Sequence, residues 1–90
     1  MAHKHKRDPL QSLPNVGPRV AADLRRLGIK TPADLIGRDG DALYLELCRR
    51  DGVRHDICLR DTFVAVVDFA AGRPARPWWE YSRERKARKA

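Results

Sequence analysis

The chain has 90 residues, two cysteines and a formal net charge of +7 at pH 7. A chain of this length forms one small domain, so a large multidomain architecture is excluded. Such a domain buries about 60–65% of its unfolded surface. No apolar run approaches the ~20 residues of a membrane span, and charged residues follow Met1, so we expect no signal peptide, no membrane anchor, a cytoplasmic location and reduced cysteines. The positive charge predicts attraction to polyanions, most commonly nucleic acid.

The N-terminal segment divides into a basic arm and a first helix. Residues 1–7 have nothing to bury and are predicted to form a flexible arm, which either adds contacts to a phosphate backbone or is simply solvated. Asp8 and Pro9 then indicate a short helix over residues 8–12, because aspartate caps helix N-termini and proline is accepted in the first turn.

A tight turn followed directly by an amphipathic helix occupies residues 13–29. Asn15 and Gly17 both tolerate the positive φ that such a turn requires, and Pro18 suits the first helical position. Amides at a helix N-terminus have no partner within the helix, and the helix dipole makes them an anion site. Arg19 adds a mobile positive charge beside them. We interpret this stretch as a phosphate-binding turn, with a plain connection between packed helices as the alternative.

Three further helices are predicted after the turn, at residues 32–36, 39–52 and 56–72. The last of these is the most hydrophobic segment of the chain, and its length and apolar spacing favour a central buried helix. Its β-branched residues leave a strand over residues 62–69 as the alternative. The helical domain is therefore expected to span residues 8–72.

The C-terminal residues 73–90 form an aromatic and basic tail. Prolines precede Trp78 and Trp79, and a basic run follows them. Aromatic side chains beside basic residues stack on exposed bases in some nucleic-acid-binding proteins. Tryptophans in a domain this small more often anchor a returning segment, so we expect the tail to pack on the domain.

Residues 13–20 resemble the helix-hairpin-helix motif, which reads hydrophobic-x-Gly-hydrophobic-Gly-Pro before a small or basic residue and a helix. Asn15 replaces the first glycine of that motif. The resemblance implies that hairpin amides hold a nucleic-acid phosphate. Some family members also hold a monovalent cation on hairpin carbonyls, here those of Leu13 and Val16; no other cofactor is implied. The predicted DNA-binding residues are those of the hairpin and nearby cations: Asn15, Val16, Gly17, Arg19, Val20, Arg25, Arg26 and Lys30.

A second pattern is spread along the chain: Leu27, Gly28, Ile29, Asp34, Leu35, Tyr44, Cys48, residues 54–58, Asp61, Phe63 and residues 77–79. With the hairpin, it makes nearly the whole chain similar to small bacterial helix-hairpin-helix proteins named as pathogenicity-locus or mitomycin-resistance proteins. The C-terminal domain of the competence regulator TfoX has a similar hairpin. This resemblance implies an all-α, compact five-helix SAM-like domain that contains the hairpin.

Three other groups of residues each have two interpretations. Cys48, His55, Cys58 and Asp61 have metal-ligand chemistry, although their spacing matches no familiar zinc pattern. Cys58 is predicted to lie in the first turn of a helix near basic residues, surroundings that lower a thiol pKa and suit a redox sensor. Residues 51–54 are either a degenerate second hairpin or a plain loop.

The sequence therefore predicts a binding protein. It contains no patterned carboxylate pair, no Ser-His-Asp arrangement and no Walker-type loop, so we expect no enzymatic activity. The predicted partner is nucleic acid, with duplex DNA preferred over RNA, bound through its backbone without sequence preference. The alternative is a protein–protein interaction module in which the hairpin is only a scaffold. An exposed apolar patch around Trp78 and Trp79 would favour that alternative.

Overall fold

The computed structural model describes residues 8–89, and the arm predicted at residues 1–7 lies outside this range. The described residues contain no strand, so the prediction of an all-helical fold is confirmed; the alternative strand at 62–69 lies within a helix. The elements are a 3₁₀ helix at Pro9–Ser12, α1 at Pro18–Arg26, a second 3₁₀ helix at Pro32–Leu35, α2 at Gly40–Asp51, α3 at Ile57–Ala70 and α4 at Trp78–Lys89.

The helix count differs from the five that the sequence predicted. Residues 8–89 hold four α-helices and two 3₁₀ helices. The two short predicted helices are the 3₁₀ helices. Each has four residues, and a segment this short forms i to i+3 hydrogen bonds but does not continue as a regular α-helix. Such bonds run from Gln11 N to Asp8 O at 2.9 Å and from Asp34 N to Thr31 O at 3.0 Å. The tail, in turn, forms the full helix α4.

Helix ends follow the local signals in the sequence. Asp39 and Asp56 accept hydrogen bonds from amides in the first turns of α2 and α3. Gly52 and Gly72, just beyond the same two helices, have φ values of 67° and 98°, which only glycine adopts easily. These four predicted boundaries are confirmed. None of the described helices is long and apolar enough to cross a membrane.

The core lies between α1, α2 and α3. Phe63 of α3 is fully buried there with Val66 of the same helix and with aliphatic side chains from the rest of the domain, among them Leu10, Leu24, Ile29, Leu35 and Leu47. The helices α2 and α3 approach most closely at Gly40. A Cβ atom at this position would lie 2.6 Å from the Cα of Val64.

The C-terminal helix α4 packs along α3. Tyr81 is buried and donates its hydroxyl hydrogen bond to Asp68 Oδ2 at 2.9 Å. Ser82 is also buried and donates to the carboxylate of Asp61. Trp79, which the sequence predicted as an anchor, is instead 46% exposed. The inward face of α4 is therefore formed by Tyr81 and Ser82.

Candidate nucleic-acid interface

The turn before α1 reaches its sharp conformation at Asn15. Among residues 8–89, Asn15 is the one non-glycine with positive φ, at 71°. Gly17 is extended, with φ −95° and ψ −172°, so the expectation that Gly17 supplies positive φ is wrong. Asparagine tolerates the left-handed region better than most residues. Since a Cβ at Gly17 would meet nothing within 4 Å, the absent side chain leaves open space in front of the turn.

The side chain of Asn15 connects the turn to α4. Its Nδ2 donates to the carbonyl of Arg76 at 2.8 Å, and its Oδ1 accepts from the amide of Trp78 at 3.3 Å. We call this pair of hydrogen bonds the Asn15 clasp. A glycine, as in the helix-hairpin-helix pattern, cannot form it. The sequence indicated Asn15 as a turn residue and as a departure from the motif, but gave no signal for its bonds to the tail.

The first turn of α1 presents unpaired amides. The first helical hydrogen bond runs from Ala21 N to Gly17 O at 3.0 Å. The amides of Arg19 and Val20 precede it and therefore have no acceptor within the helix. Arg19 is exposed at the same turn. Two amides at the positive end of a helix dipole, beside a guanidinium, are suited to an anion such as a phosphate oxygen.

The apolar residues of the segment 13–20 pack into the core and hold the turn in place. Leu13 and Val16 are buried in the core, and Val20 packs against it. The carbonyl of Leu13, one of the two predicted to face a monovalent cation, accepts the amide of Val16 at 3.3 Å. The side chain of Val16 therefore fixes the position of the turn, and a ligand can meet only its backbone.

The other predicted cations lie away from the turn. Arg25 is paired with Asp8 and Arg26 with Asp51, while Lys30 is exposed. Arg25 and Arg26 are the last two residues of α1, a nine-residue helix, and Lys30 lies beyond its end. A helix of that length extends about 14 Å, which separates Arg25 and Lys30 from the turn. Arg26 lines the same cleft as Arg19 and Val20, but its guanidinium is paired with Asp51. Hydrogen bonds from Arg26 and then His55 lower the pKa of Asp51.

A cleft of about 440 Å³ opens beside the turn, between α1, α3 and the loop that precedes α3. Its lining is basic and aromatic at the turn itself, whereas farther along α1 and on the opposite side acidic side chains lie beside Arg26. The lining includes Arg19, Val20 and Trp78 at the turn and Asp51, His55 and Asp56 on the opposite side. Acidic side chains repel a phosphate, so an anion fits only at the rim formed by the turn.

The surroundings of the two cysteines differ from those that the sequence suggested. Burial, and then the charge of Asp56, raises the pKa of the Cys58 thiol, so the expectation of a lowered pKa is wrong. Cys48 Sγ accepts the amide of His55 at 3.4 Å. In the part of the chain that the structure describes, no three or more His, Cys, Asp or Glu side chains are grouped to hold a metal ion.

An exposed aromatic and basic pair lies at the start of α4. The guanidinium of Arg83 sits over the indole of Trp79, 5.0 Å from the ring centroid. Arg76 is engaged differently, with Glu80 at 2.8 Å and Glu84 at 2.5 Å. The sequence indicated aromatic and basic residues in this region, but it could not distinguish the inward-facing tryptophan from the outward-facing one.

A separate apolar patch lies on α2, on the loop that follows it and at the start of α3. Leu45, Val53 and Ile57 are 62%, 55% and 40% exposed. They line two adjoining cavities of about 380 and 580 Å³ that share Tyr44 and Arg54. Basic side chains complete the lining: Arg49, Arg54, Arg85 and Arg88, with His55. We call this surface the arginine-rimmed groove.

The chain was compared with known proteins. Residues 3–87 match the family described as Cdd1, pathogenicity locus. The chain is also 48% identical over 77 residues to "Mitomycin resistance protein McrB" of Streptomyces lavendulae, an alignment that covers 86% of this chain and 73% of that protein. No solved structure matches significantly.

Proposed function

We propose that this chain, which belongs to the Cdd1 pathogenicity-locus family, is a cytoplasmic DNA-binding module that holds the phosphate backbone at residues 13–20. The family description and the name of the relative state no molecular activity, so the proposal rests on the site. We interpret the first 3₁₀ helix, the turn and α1 as a helix-hairpin-helix motif within a SAM-like fold. The hairpin resembles that of the TfoX C-terminal domain.

The free amides of Arg19 and Val20 carry the proposal. They lie at the positive end of α1 behind the open space at Gly17, where a phosphate can approach the backbone. Arg19 contributes a charge-assisted contact, and the net charge of +7 attracts DNA at longer range. We identify no base-reading set of side chains on α1 to α4. The binding is therefore proposed to be weak and independent of sequence.

Weak binding through phosphates implies a marked salt dependence. The logarithm of the binding constant falls against the logarithm of salt concentration with a slope of about −0.9 for each phosphate neutralised on B-DNA. Arg25 and Arg26 already have carboxylate partners, so Arg19 is the principal contributor near the turn. Lys30, at the other end of α1, is placed to meet a different phosphate.

The double variant Gly17→Val, Arg19→Glu is expected to lose roughly 10- to 100-fold in affinity for duplex DNA. Valine fills the open space before the amides, and glutamate reverses the charge that faces the phosphate. Fluorescence anisotropy of a labelled duplex at low and moderate salt measures the loss. Thermal unfolding followed by circular dichroism establishes that the variant remains folded.

Arg38→Glu provides the matched control. It makes the same change in net charge at an exposed residue that does not line the cleft. If Arg38→Glu and the double variant weaken binding equally, the affinity comes from overall charge and the hairpin is not the site. If the wild-type chain fails to bind either duplex or single-stranded DNA, the hairpin is a scaffold.

The second candidate function is a protein-interaction module, and the arginine-rimmed groove favours it. The apolar patch expected at the tryptophans is found instead at Leu45, Val53 and Ile57. Clustered exposed apolar residues mark interaction sites, whereas scattered ones do not. Because the lining of both cavities contains basic side chains and no acidic one, the fitting partner is an acidic amphipathic helix.

For this second candidate, Leu45→Glu is expected to reduce binding of an acidic, Leu/Glu-patterned helical peptide by roughly tenfold or more, because it places a charge on the apolar floor of the groove. A peptide of the same composition in scrambled order tests the need for amphipathicity. Isothermal titration calorimetry measures both. Equal binding of the two peptides, or no effect of Leu45→Glu, contradicts this function.

A further inference from the structure

We infer that Trp79 is a base-stacking site beside the hairpin, and that the preferred DNA therefore carries unpaired nucleotides, either as a single strand or next to a duplex. This inference rests on the proposed function and specifies its ligand. It assigns a role to an exposed tryptophan that the packing of the domain does not use.

Packing does not account for Trp79. Its neighbour Tyr81 is buried and bonded to Asp68, and the next residue, Ser82, is buried against Asp61. These contacts already fix α4 on α3. Trp79 lies on the outward side with 46% of its surface exposed. The exposed part of this large aromatic ring is available as a stacking surface.

The Asn15 clasp places the backbone at the start of α4, next to Trp79, beside the turn. Asn15 holds the carbonyl of Arg76 and the amide of Trp78, and the Cα of Trp79 is about 3.8 Å beyond that of Trp78. Trp78 itself lines the cleft together with Arg19 and Val20. A strand whose phosphate rests on the hairpin amides therefore passes close to the start of α4.

Arg83 completes the site. Its guanidinium covers part of the indole of Trp79 at 5.0 Å from the centroid, which leaves the rest of the ring for a base. The neighbouring Glu80 and Glu84 are paired with Arg76. Within residues 8–88, no carboxylate lies within ion-pair distance of Arg83. Its charge is available to a phosphate flanking the stacked base.

Stacking on Trp79 distinguishes DNA forms because bases in a continuous duplex already stack on one another. An indole gains contact with a base only where that base is unpaired, or where the duplex is first unstacked at a cost. The hairpin amides, in contrast, meet the backbone of either form. The two parts of the site therefore give separate signals: the hairpin determines whether DNA binds, and Trp79 determines the preference for unpaired bases.

The test compares three labelled ligands of equal length with the full chain: a single strand, an abasic single strand and a continuous duplex. The wild-type chain is expected to bind the single strand roughly tenfold more tightly than the abasic strand. Trp79→Ala should remove that difference while leaving duplex affinity within about twofold, and Trp79→Phe should restore part of it, because phenylalanine retains a smaller stacking surface.

Asn15→Gly tests positioning by the clasp. Glycine keeps the left-handed backbone at this position and removes both hydrogen bonds to the tail. The ratio of single-strand to abasic-strand affinity should fall; an unchanged ratio contradicts positioning of Trp79 by the clasp. This ratio is a readout that a general loss of stability does not change selectively.

A direct readout uses intrinsic fluorescence. The chain has two tryptophans, so Trp78→Phe leaves Trp79 as the sole indole. Its fluorescence should be quenched by the single strand and not by the abasic strand. Hairpin-dependent duplex binding without any Trp79-dependent preference overturns this inference alone. Failure of the wild-type chain to bind any of the three ligands overturns both the inference and the proposed function.

Discussion

Replacing Asp61 with alanine is expected to reduce the free energy of unfolding by about 3–5 kcal/mol, which is a large part of the stability of a domain this size. Asp61 is fully buried and accepts hydrogen bonds from Arg85 Nη2 at 2.9 Å and Arg60 Nη1 at 2.8 Å. Ser82 donates a further one. Alanine leaves two largely buried guanidinium groups without this carboxylate and separates α3 from α4.

The same network predicts the direction of an acid effect. Burial alone would raise the pKa of Asp61, but hydrogen bonds from Arg85, Ser82 and Arg60 outweigh burial and lower it. A carboxyl with a lowered folded pKa stabilises the protein above its unfolded pKa of about 3.9, and this contribution is lost as pH falls through the folded value. Wild-type stability should therefore decrease below about pH 4, more steeply than that of Asp61→Ala.

Urea unfolding at neutral and acid pH measures both effects. The variant should keep a smaller acid dependence, because the pKa of Asp51 is also lowered, by Arg26 and then His55. Asp41→Ala is the matched control, since Asp41 pairs with Arg60 but is 55% exposed and should cost less than about 1 kcal/mol. Similar stabilities for the two variants contradict the central role of Asp61.

Local features were predictable because the residues that determine them are neighbours in the sequence. Asp39 and Asp56 each accept a hydrogen bond from the amide two residues ahead, and Gly52 directly follows the last residue of α2. Capping depends on a short polar side chain, or on φ freedom, at a fixed offset. The order of the elements and the buried helix α3 followed from such signals and from apolar periodicity.

Long-range pairings were not predictable from the same signals. Asn15 bonds to Trp78 across 63 positions, and Arg85 bonds to Asp61 across 24. No periodicity connects such residues, because they become neighbours only when α4 packs on α3. The same limitation explains Arg26, which looked like a free cation for DNA and is paired with Asp51. For the candidate site, the turn before α1 was therefore predictable and its contact with the tail was not.

Glycine is required at Gly40 because no Cβ atom fits there, and not because the backbone has positive φ. It begins α2 and is buried against α3. A Cβ atom there would lie 2.6 Å from Val64 Cα and 2.7 Å from Val64 N. These are backbone atoms of a helix, which cannot move aside as a side-chain end can. The two helices must therefore separate to admit even a methyl group.

Gly40→Ala is accordingly expected to lower the free energy of unfolding by about 2–3 kcal/mol, because overpacking against a rigid backbone shifts α2 relative to α3. Urea unfolding monitored by circular dichroism measures the change. Gly17→Ala is the matched control at the start of another helix, where a Cβ meets nothing within 4 Å. It should cost no more than about 1 kcal/mol, the loss expected from alanine at an N-cap. A Gly40→Ala protein as stable as the wild type would show that α2 and α3 are not in the close contact described.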